Sequence, residues 1–180
     1  IHITPEAGFS FASFETNDPA FRAPALVAKV VGLFEPEAAA WAVEGVPDDP
    51  VQIACGDAFT AVLTASGELW AWGFGRYGQL GLGDKNDRDV PVEVGPGRLG
   101  GAIIVYAAAG ACHSGVVTSG GGVWTWGRGL RGRLGHNDEQ DQLVPRELEG
   151  QFGGARALSL ATGGGHTMVV TTCGAVWGFG

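Results

Sequence analysis

The sequence has few cations and no long hydrophobic run. Its 180 residues contain 11 Lys and Arg against 19 Asp and Glu, which gives a net charge of −8. A nucleic-acid-binding protein needs clustered cations to replace phosphate counterions, so this charge argues against direct DNA or RNA binding. No apolar run approaches the roughly 20 residues that a membrane-spanning helix requires. We therefore expect no membrane span, and the acidic charge favours a basic protein as partner.

Cysteine is also scarce. Cys55, Cys112 and Cys173 are an odd number of cysteines at irregular spacing, which does not indicate a disulfide framework. Reduced thiols are typical of intracellular proteins, so we expect a cytoplasmic or nuclear protein.

Glycine, in contrast, is abundant, and it marks an internal repeat. The chain has 32 glycines, and residues 54–81, 108–135 and 161–180 align without gaps at offsets of 54 and 53. The first copy carries Phe59 where the others carry His113 and His166. The repeat signature consists of Gly56, Gly67, Trp70, Trp72 and Gly73 in the first copy, Gly110, His113, Gly121, Trp124, Trp126 and Gly127 in the second, and Gly163, His166, Gly174, Trp177 and Gly180 in the third.

Each repeat contains several short β-strands. Residues 51–55, 59–64 and 69–73 are rich in apolar and β-branched residues and are bounded by glycine or small polar residues. Residues 89–94 form a fourth candidate, and Pro91 predicts that this strand lies at a sheet edge. Four strands in a tandem unit of about 50 residues indicate a blade of an all-β propeller.

Strand alternation assigns a packing role to the tryptophans. Trp70 and Trp72 lie two residues apart, so they share one face of the strand, while Leu69 and Ala71 share the other. Blades of a propeller pack face to face, and each aromatic side chain can bury roughly 150–250 Å². We therefore expect the tryptophans to pack between blades.

This pattern resembles the repeat of the regulator of chromosome condensation family. The resemblance covers residues 51–180 and rests on the combination of G-x-x-H-T/S, V/L-W-x-W/F-G and G-x-x-G-x-L-G motifs at fixed spacing. It implies a partial propeller, with two to three blades in this chain out of the family's seven. The chain is then either a fragment of a longer protein or an open propeller whose edges are covered by something else.

The resemblance also sets the expected domain organisation. Residues 51–104, 105–158 and 159–180 are the repeat units, the last one incomplete. Residues 1–50 form a separate N-terminal segment, in which 23–33 suggest an outer strand and 35–45 a short helix.

Several kinds of chemical site are disfavoured by the pattern. The glycine-rich loop of residues 73–84 joins two strands and lacks the following helix that a phosphate-binding loop needs. His113 and His166 are repeat equivalents, so they belong to adjacent blades and do not converge on a metal; hydrogen bonds to backbone groups are the expected role. Ser114 follows His113 directly and points to the opposite face, which argues against a nucleophile–base pair. We expect no catalytic, cofactor or metal site.

Light sensing is disfavoured as well. The plant ultraviolet-B photoreceptor has this propeller and carries sensing tryptophans after the glycine of a G-W-R-H-T motif. The corresponding positions here are Asp57, Ala111 and Gly164.

What remains is partner binding by loop residues that vary between copies or carry charge. Tyrosine and arginine are favoured at interface hot spots, and loops carry function on rigid scaffolds. The candidate protein-binding residues are Arg76, Tyr77, Asp84, Asp87, Arg128, Arg131 and Arg133. We expect a non-enzymatic interaction scaffold within a longer protein or a larger assembly. The alternatives are a guanine-nucleotide exchange factor for a small GTPase, which the family resemblance implies, and the substrate-recruiting propeller of a ubiquitin ligase.

Overall fold

A computed structural model describes residues 45–180 except 48 and 151. The expected strand at 23–33 and nearly all of the expected helix at 35–45 lie outside these residues. The described part of the chain contains eleven strands and three short 3₁₀ turns, at Pro96–Leu99, Leu130–Gly132 and Phe152–Gly154. The strands are β1 Pro50–Cys55, β2 Phe59–Thr64, β3 Leu69–Gly73, β4 Arg88–Glu93, β5 Ile104–Ala109, β6 His113–Thr118, β7 Val123–Gly127, β8 Gln142–Glu147, β9 Ala157–Thr162, β10 Thr167–Thr171 and β11 Val176–Phe179.

The strands form three antiparallel sheets, one per repeat. Their orders are β1-β2-β3-β4, β5-β6-β7-β8 and β9-β10-β11. The strands predicted at 59–64 and 69–73 coincide with β2 and β3, and β4 is an edge strand of its sheet that contains Pro91. The all-β prediction and the propeller-blade interpretation are therefore confirmed.

The strand register places the long loops at one end of every sheet. Phe59 lies opposite Gly73, and His113 lies opposite Gly127, so the turns before β2 and β6 are at the same end as the loops after β3 and β7. We call this end the loop face. It consists of the long loops 74–87 and 128–141 and the turns 56–58, 110–112 and 163–166.

Side-chain alternation builds the core between neighbouring sheets. Leu69 and Ala71 point towards the second sheet and are buried in a cluster with Val116 and Trp126. A second cluster, which includes Val123, lies between the second and third sheets. Each sheet therefore buries one face against the next, as blades of a propeller do.

Trp126 shows the interblade packing that the repeat predicts. It is 1% exposed, and its Nε1 donates a 2.9 Å hydrogen bond to Gln79 O in the loop of the preceding blade. Gly81 allows this approach: it has φ +73°, and a Cβ there would lie 2.8 Å from Trp126 Nε1. Trp70 and Trp72, at the equivalent face of the first blade, are only half-buried.

Polar side chains tie successive blades together at the loop face. Ser114 Oγ donates to Gln79 O at 2.7 Å, and Thr167 Oγ1 donates to Arg133 O at 2.8 Å. Ser114 and Thr167 are repeat equivalents, as are Gln79 and Arg133. The same hydrogen bond therefore fixes both long loops against the blade that follows them.

Candidate protein-binding site

The two long loops share one backbone design. Gly75 N donates to Asp87 Oδ1 at 2.8 Å, and its repeat equivalent Gly129 N donates to Asp141 Oδ1 at 3.0 Å. A Cβ at Gly75 would lie 2.1 Å from Asn86 O, so only glycine fits there. These features agree with the interpretation of the glycine-rich segment as a structural turn.

Both predicted acidic site residues are engaged within the chain. Asp84 forms a 2.6 Å ion pair with Arg88 and accepts a hydrogen bond from Asn86 N, and these contacts hold the pKa of its carboxyl group below its usual value. Asp138, the repeat equivalent of Asp84, likewise accepts from Gln140 N, and it forms a 3.3 Å ion pair with Arg146, which lies at a different repeat position from Arg88. The Asp87 contact recurs in the same way at Asp141, so Asp84 and Asp87 close the loop in which they lie.

The aromatic and arginine candidates meet across the first two blades. The Arg128 guanidinium lies 4.6 Å from the centre of the Tyr77 ring, a cation–π contact. The Phe74 ring contacts Tyr77 edge to face, with the centroids 6.1 Å apart, and Arg76 lies 5.7 Å from the Phe74 ring centre. Three of the predicted residues, Arg76, Tyr77 and Arg128, thus form one surface cluster with Phe74.

Arg133 differs from the other arginines because it is only 5% exposed. Its Nε donates to Leu130 O at 2.8 Å, and its Nη1 donates to Gly164 O at 2.7 Å in the turn of the third blade. Burial, with repulsion from the nearby Arg128, lowers the pKa of the guanidinium. Within the described residues, no carboxylate forms an ion pair with it.

The two repeat histidines have different environments. His113 is buried and bonds to the Thr167 hydroxyl, a side chain of the next blade, at 2.9 Å. Since Thr167 Oγ1 donates its proton to Arg133 O, His113 Nε2 is the donor to Thr167 Oγ1. Burial lowers the pKa of His113 to about 4. His166 is exposed.

The structure brings three of the seven predicted protein-binding residues into one cluster and adds others. Phe74 and Gly164 were not predicted, although Phe74 is the repeat equivalent of Arg128 and therefore varies between copies. Gly164 contacts Arg133 only because the third blade packs on the second. In the part of the chain that the structure describes, no group of three His, Cys, Asp or Glu side chains is placed to hold a metal ion. Across the same residues, no helix is long and apolar enough to cross a membrane.

Comparison with known proteins agrees with this architecture. Four-stranded antiparallel sheets, stacked face to face and repeated in tandem, define a β-propeller. The family model for the regulator of chromosome condensation (RCC1) repeat matches residues 66–117 and 120–170, and a second RCC1 repeat model matches 51–79. The chain belongs to the RCC1 repeat family. A match to 66–117 begins before β3 and ends in β6, so the family's repeat unit straddles two sheets.

Another family model, for adenosylmethionine decarboxylase, matches residues 1–60. This match covers a third of the chain and mostly precedes the described residues, so it assigns no second family to the protein.

Relatives include proteins of different functions. The chain is 39% identical to the ultraviolet-B receptor UVR8 of Arabidopsis thaliana over 71% of its own length, and 37% identical to the probable E3 ubiquitin-protein ligase HERC3 of Homo sapiens over 77%. It spans 28% of UVR8 and 13% of HERC3, so both relatives contain much more than this chain.

Solved structures show the same fold. Human WBSCR16 matches with a TM-score of 0.71 and 30% identity, covering 78% of this chain and 35% of that one. Prp20p of Saccharomyces cerevisiae, whose structure was described with its binding to Gsp1p and histones, matches with a TM-score of 0.61 and 23% identity over 73% of this chain and 32% of its own. At that identity the second match concerns the fold alone.

Proposed function

We propose that this chain is a non-enzymatic protein-interaction platform and that its loop face is the binding surface. The proposal rests chiefly on one observation: Arg76, Tyr77 and Arg128 cluster with Phe74 on the loop face. Tyrosine and arginine are enriched among the few residues that dominate the binding energy of protein interfaces. Here the cation–π contact between Arg128 and Tyr77 holds both side chains before a partner arrives.

Rigidity of the loops supports the same proposal. In each long loop an aspartate accepts a hydrogen bond from a glycine N–H and closes the loop. Ser114 and Thr167 bond the two loops to the blade that follows. A surface that is already ordered loses little conformational entropy on binding. Asp84 and Asp87 then serve as supports of the surface, and the arginines and Tyr77 serve as its contacts.

The repeat organisation belongs to this proposal. Residues 51–104, 105–158 and 159–180 act as successive repeat units, and residues 1–50 form a segment outside them. The platform works within a longer protein or a larger assembly, because this chain spans only 28% of UVR8 and 13% of HERC3.

Two more specific functions are alternatives. Guanine-nucleotide exchange is suggested by the fold shared with Prp20p, which was studied with Gsp1p, and substrate recruitment for a ubiquitin ligase is suggested by similarity to HERC3. Accelerated nucleotide release from a small GTPase by the protein would favour the first over a passive platform. Light sensing receives no such support, because Asp57, Ala111 and Gly164 lie in the loop-face turns where tryptophans would be needed.

The proposal is tested by measuring whether substitutions in the loop face abolish partner capture. The full chain is immobilised, and bound proteins are quantified by mass spectrometry for the unchanged chain, for a Tyr77→Ala, Arg128→Ala variant and for Arg156→Ala. Arg156 is an exposed arginine at the opposite end of the sheets, where it bonds to Ser119 O. We expect specific partners to be lost from the double variant and kept by the control. Equal capture by all three chains would refute the loop face as the binding surface.

A further inference from the structure

The arginines of the second long loop are not required by its fold. The first loop has the same backbone hydrogen bonds, yet it carries Phe74, Tyr77 and Gln79 where the second carries Arg128, Arg131 and Arg133. Arg128 and Arg131 are partly or fully exposed, and Arg133 is buried at a cost in solvation. Arg133 ties its loop to the third blade through Gly164 O, but the first loop shows that neutral side chains at all three positions are compatible with the same fold.

Two of these arginines converge on an empty space beside Gly165. A Cβ built on Gly165 would lie 3.9 Å from Arg131 Nη1 and 4.0 Å from Arg133 Nη2, with no other non-neighbouring atom within 4 Å. Both nitrogens therefore face the outer side of Gly165, where a carboxylate at van der Waals distance from the glycine can accept a charge-assisted hydrogen bond, about 2.7–2.9 Å long, from each. The charge of this position therefore matches a small planar anion.

The nearby acidic groups of the loop face already have other partners. Asp87 accepts from Gly75 N, and Asp141 accepts from Gly129 N and forms a 3.3 Å ion pair with Lys85. Asp84 and Asp138 pair with arginines of β4 and β8. Within the described residues, Arg128, Arg131 and Arg133 form no ion pair, so the positive charge of this region is left for a ligand.

The surroundings favour a carboxylate-bearing peptide over a nucleic acid. The chain carries a net charge of −8, and the second long loop itself contains Asp138, Glu139 and Asp141, so a long run of phosphates would meet more negative charge than one or two carboxylates would. A peptide can place one or two carboxylates between the arginines and rest an apolar side chain on the Tyr77 ring, where Arg128 is already stacked. Only a short cationic patch is needed for such a ligand.

We infer that the loop face binds an acidic segment of a protein partner, with one carboxylate held between Arg131 and Arg133 beside Gly165. This inference rests on the proposed function and names the chemistry of the partner for the same surface. It reverses, for this surface, the expectation of a basic partner that follows from net charge, because the local charge is opposite to the total.

Gly165 offers a direct test. No positive φ is required there, so a side chain can be accommodated, and Gly165→Asp would place a carboxylate in the empty space as an internal competitor. Gly165→Asn has nearly the same shape without the charge and is the matched control. The probe is a fluorescein-labelled peptide of alternating Glu and Gly, and its binding to the full chain is followed by fluorescence anisotropy at low and high salt.

We expect Gly165→Asp to weaken peptide binding at least about tenfold, which corresponds to the loss of one charged hydrogen-bonded contact. Gly165→Asn should bind within a factor of about three of the unchanged chain, given the scatter of such contact energies. Arg131→Tyr and Arg133→Gln, which install the residues of the first loop, should each weaken binding about tenfold, whereas Arg156→Ala should not. Thermal unfolding of every variant shows that the fold is retained.

Three results would overturn the inference. The first is no binding of the Glu-Gly peptide by the unchanged chain, and the second is equal binding by Gly165→Asp and Gly165→Asn. The third is tighter binding of a single-stranded DNA oligonucleotide, or self-association of the chain through this site, since either would identify a different occupant. A partner that is captured through the loop face, but is not displaced by the Glu-Gly peptide, would refute the acidic segment and leave the proposed function standing.

Discussion

Replacement of Trp126 tests whether the repeated tryptophans hold neighbouring blades together. Trp126 is buried between the first two sheets, and its indole N–H bonds to Gln79 O. Removal of a fully buried tryptophan side chain costs about 3–5 kcal/mol in the free energy of unfolding. Trp72 is its repeat equivalent, but it is only half-buried, so Trp72→Ala should cost roughly half as much.

A second substitution separates packing from hydrogen bonding. Phe179 occupies the equivalent position in the third blade and packs near Gly135, so the repeat accepts phenylalanine there. Trp126→Phe keeps most of the buried area and loses the bond to Gln79 O, which still accepts from Ser114. We expect a loss of about 1–2 kcal/mol.

Urea denaturation of the full chain, followed by far-ultraviolet circular dichroism, measures all three changes. The expected order of destabilisation is Trp126→Ala first, then Trp72→Ala, then Trp126→Phe. A cost below about 1 kcal/mol for Trp126→Ala, or equal costs for the two alanine variants, would refute interblade packing as the role of Trp126.

Two further predictions concern pH and backbone geometry. The folded pKa of His113, about 4, lies below its unfolded value near 6.5, so the unfolded state binds the proton first and the free energy of unfolding should fall by about 2 kcal/mol between pH 7 and pH 5. His113→Phe installs the residue that the first copy has at this position. This variant should lose the contribution of His113 to the pH dependence of the free energy of unfolding, measured by urea denaturation. An unchanged pH dependence would contradict the assignment. Gly81→Ala should be more destabilising in the same assay than Gly132→Ala: both glycines have positive φ, but a Cβ would meet Trp126 only at Gly81. Equal costs would show that backbone strain, about 1–2 kcal/mol, is the whole effect.

Local sequence patterns were sufficient to predict the strands. Alternation and turn residues placed β2 and β3 at their observed bounds, because each strand is encoded by a few neighbouring residues. The interblade role of Trp126 could also be predicted, since an aromatic residue recurs in register as Trp72, Trp126 and Phe179. That Trp70 and Trp72 are only half-buried could not be predicted from the pattern, because burial depends on a neighbouring sheet and not on the strand itself.

Contacts between blades were beyond the reach of sequence reasoning. His113 bonds to Thr167, which is 54 residues away, and Arg133 bonds to Gly164, which belongs to the following blade. The sequence identified these arginines as variable loop charges but could not show that one of them is buried. It also could not show that Asp84 and Asp87 are occupied within their own loop, since the partners of a carboxylate depend on the folded loop.

Total charge and local charge lead to different expectations for the partner. The net charge of −8 is an average over the chain, while binding responds to the charges that a ligand meets. On the loop face, intrachain contacts occupy the nearby aspartates and leave the arginines of the second loop without ion pairs within the described residues.

The most direct test of the account is a hydrogen–deuterium exchange footprint of the chain with a captured partner. The account predicts that binding protects residues 74–87, 128–141 and 163–166 of the loop face. The turns at 65–68, 119–122 and 172–175, at the opposite end of the sheets, should exchange as before. Protection confined to those turns, with the loop face unchanged, would contradict the claim that this propeller binds its partner through the arginines and Tyr77.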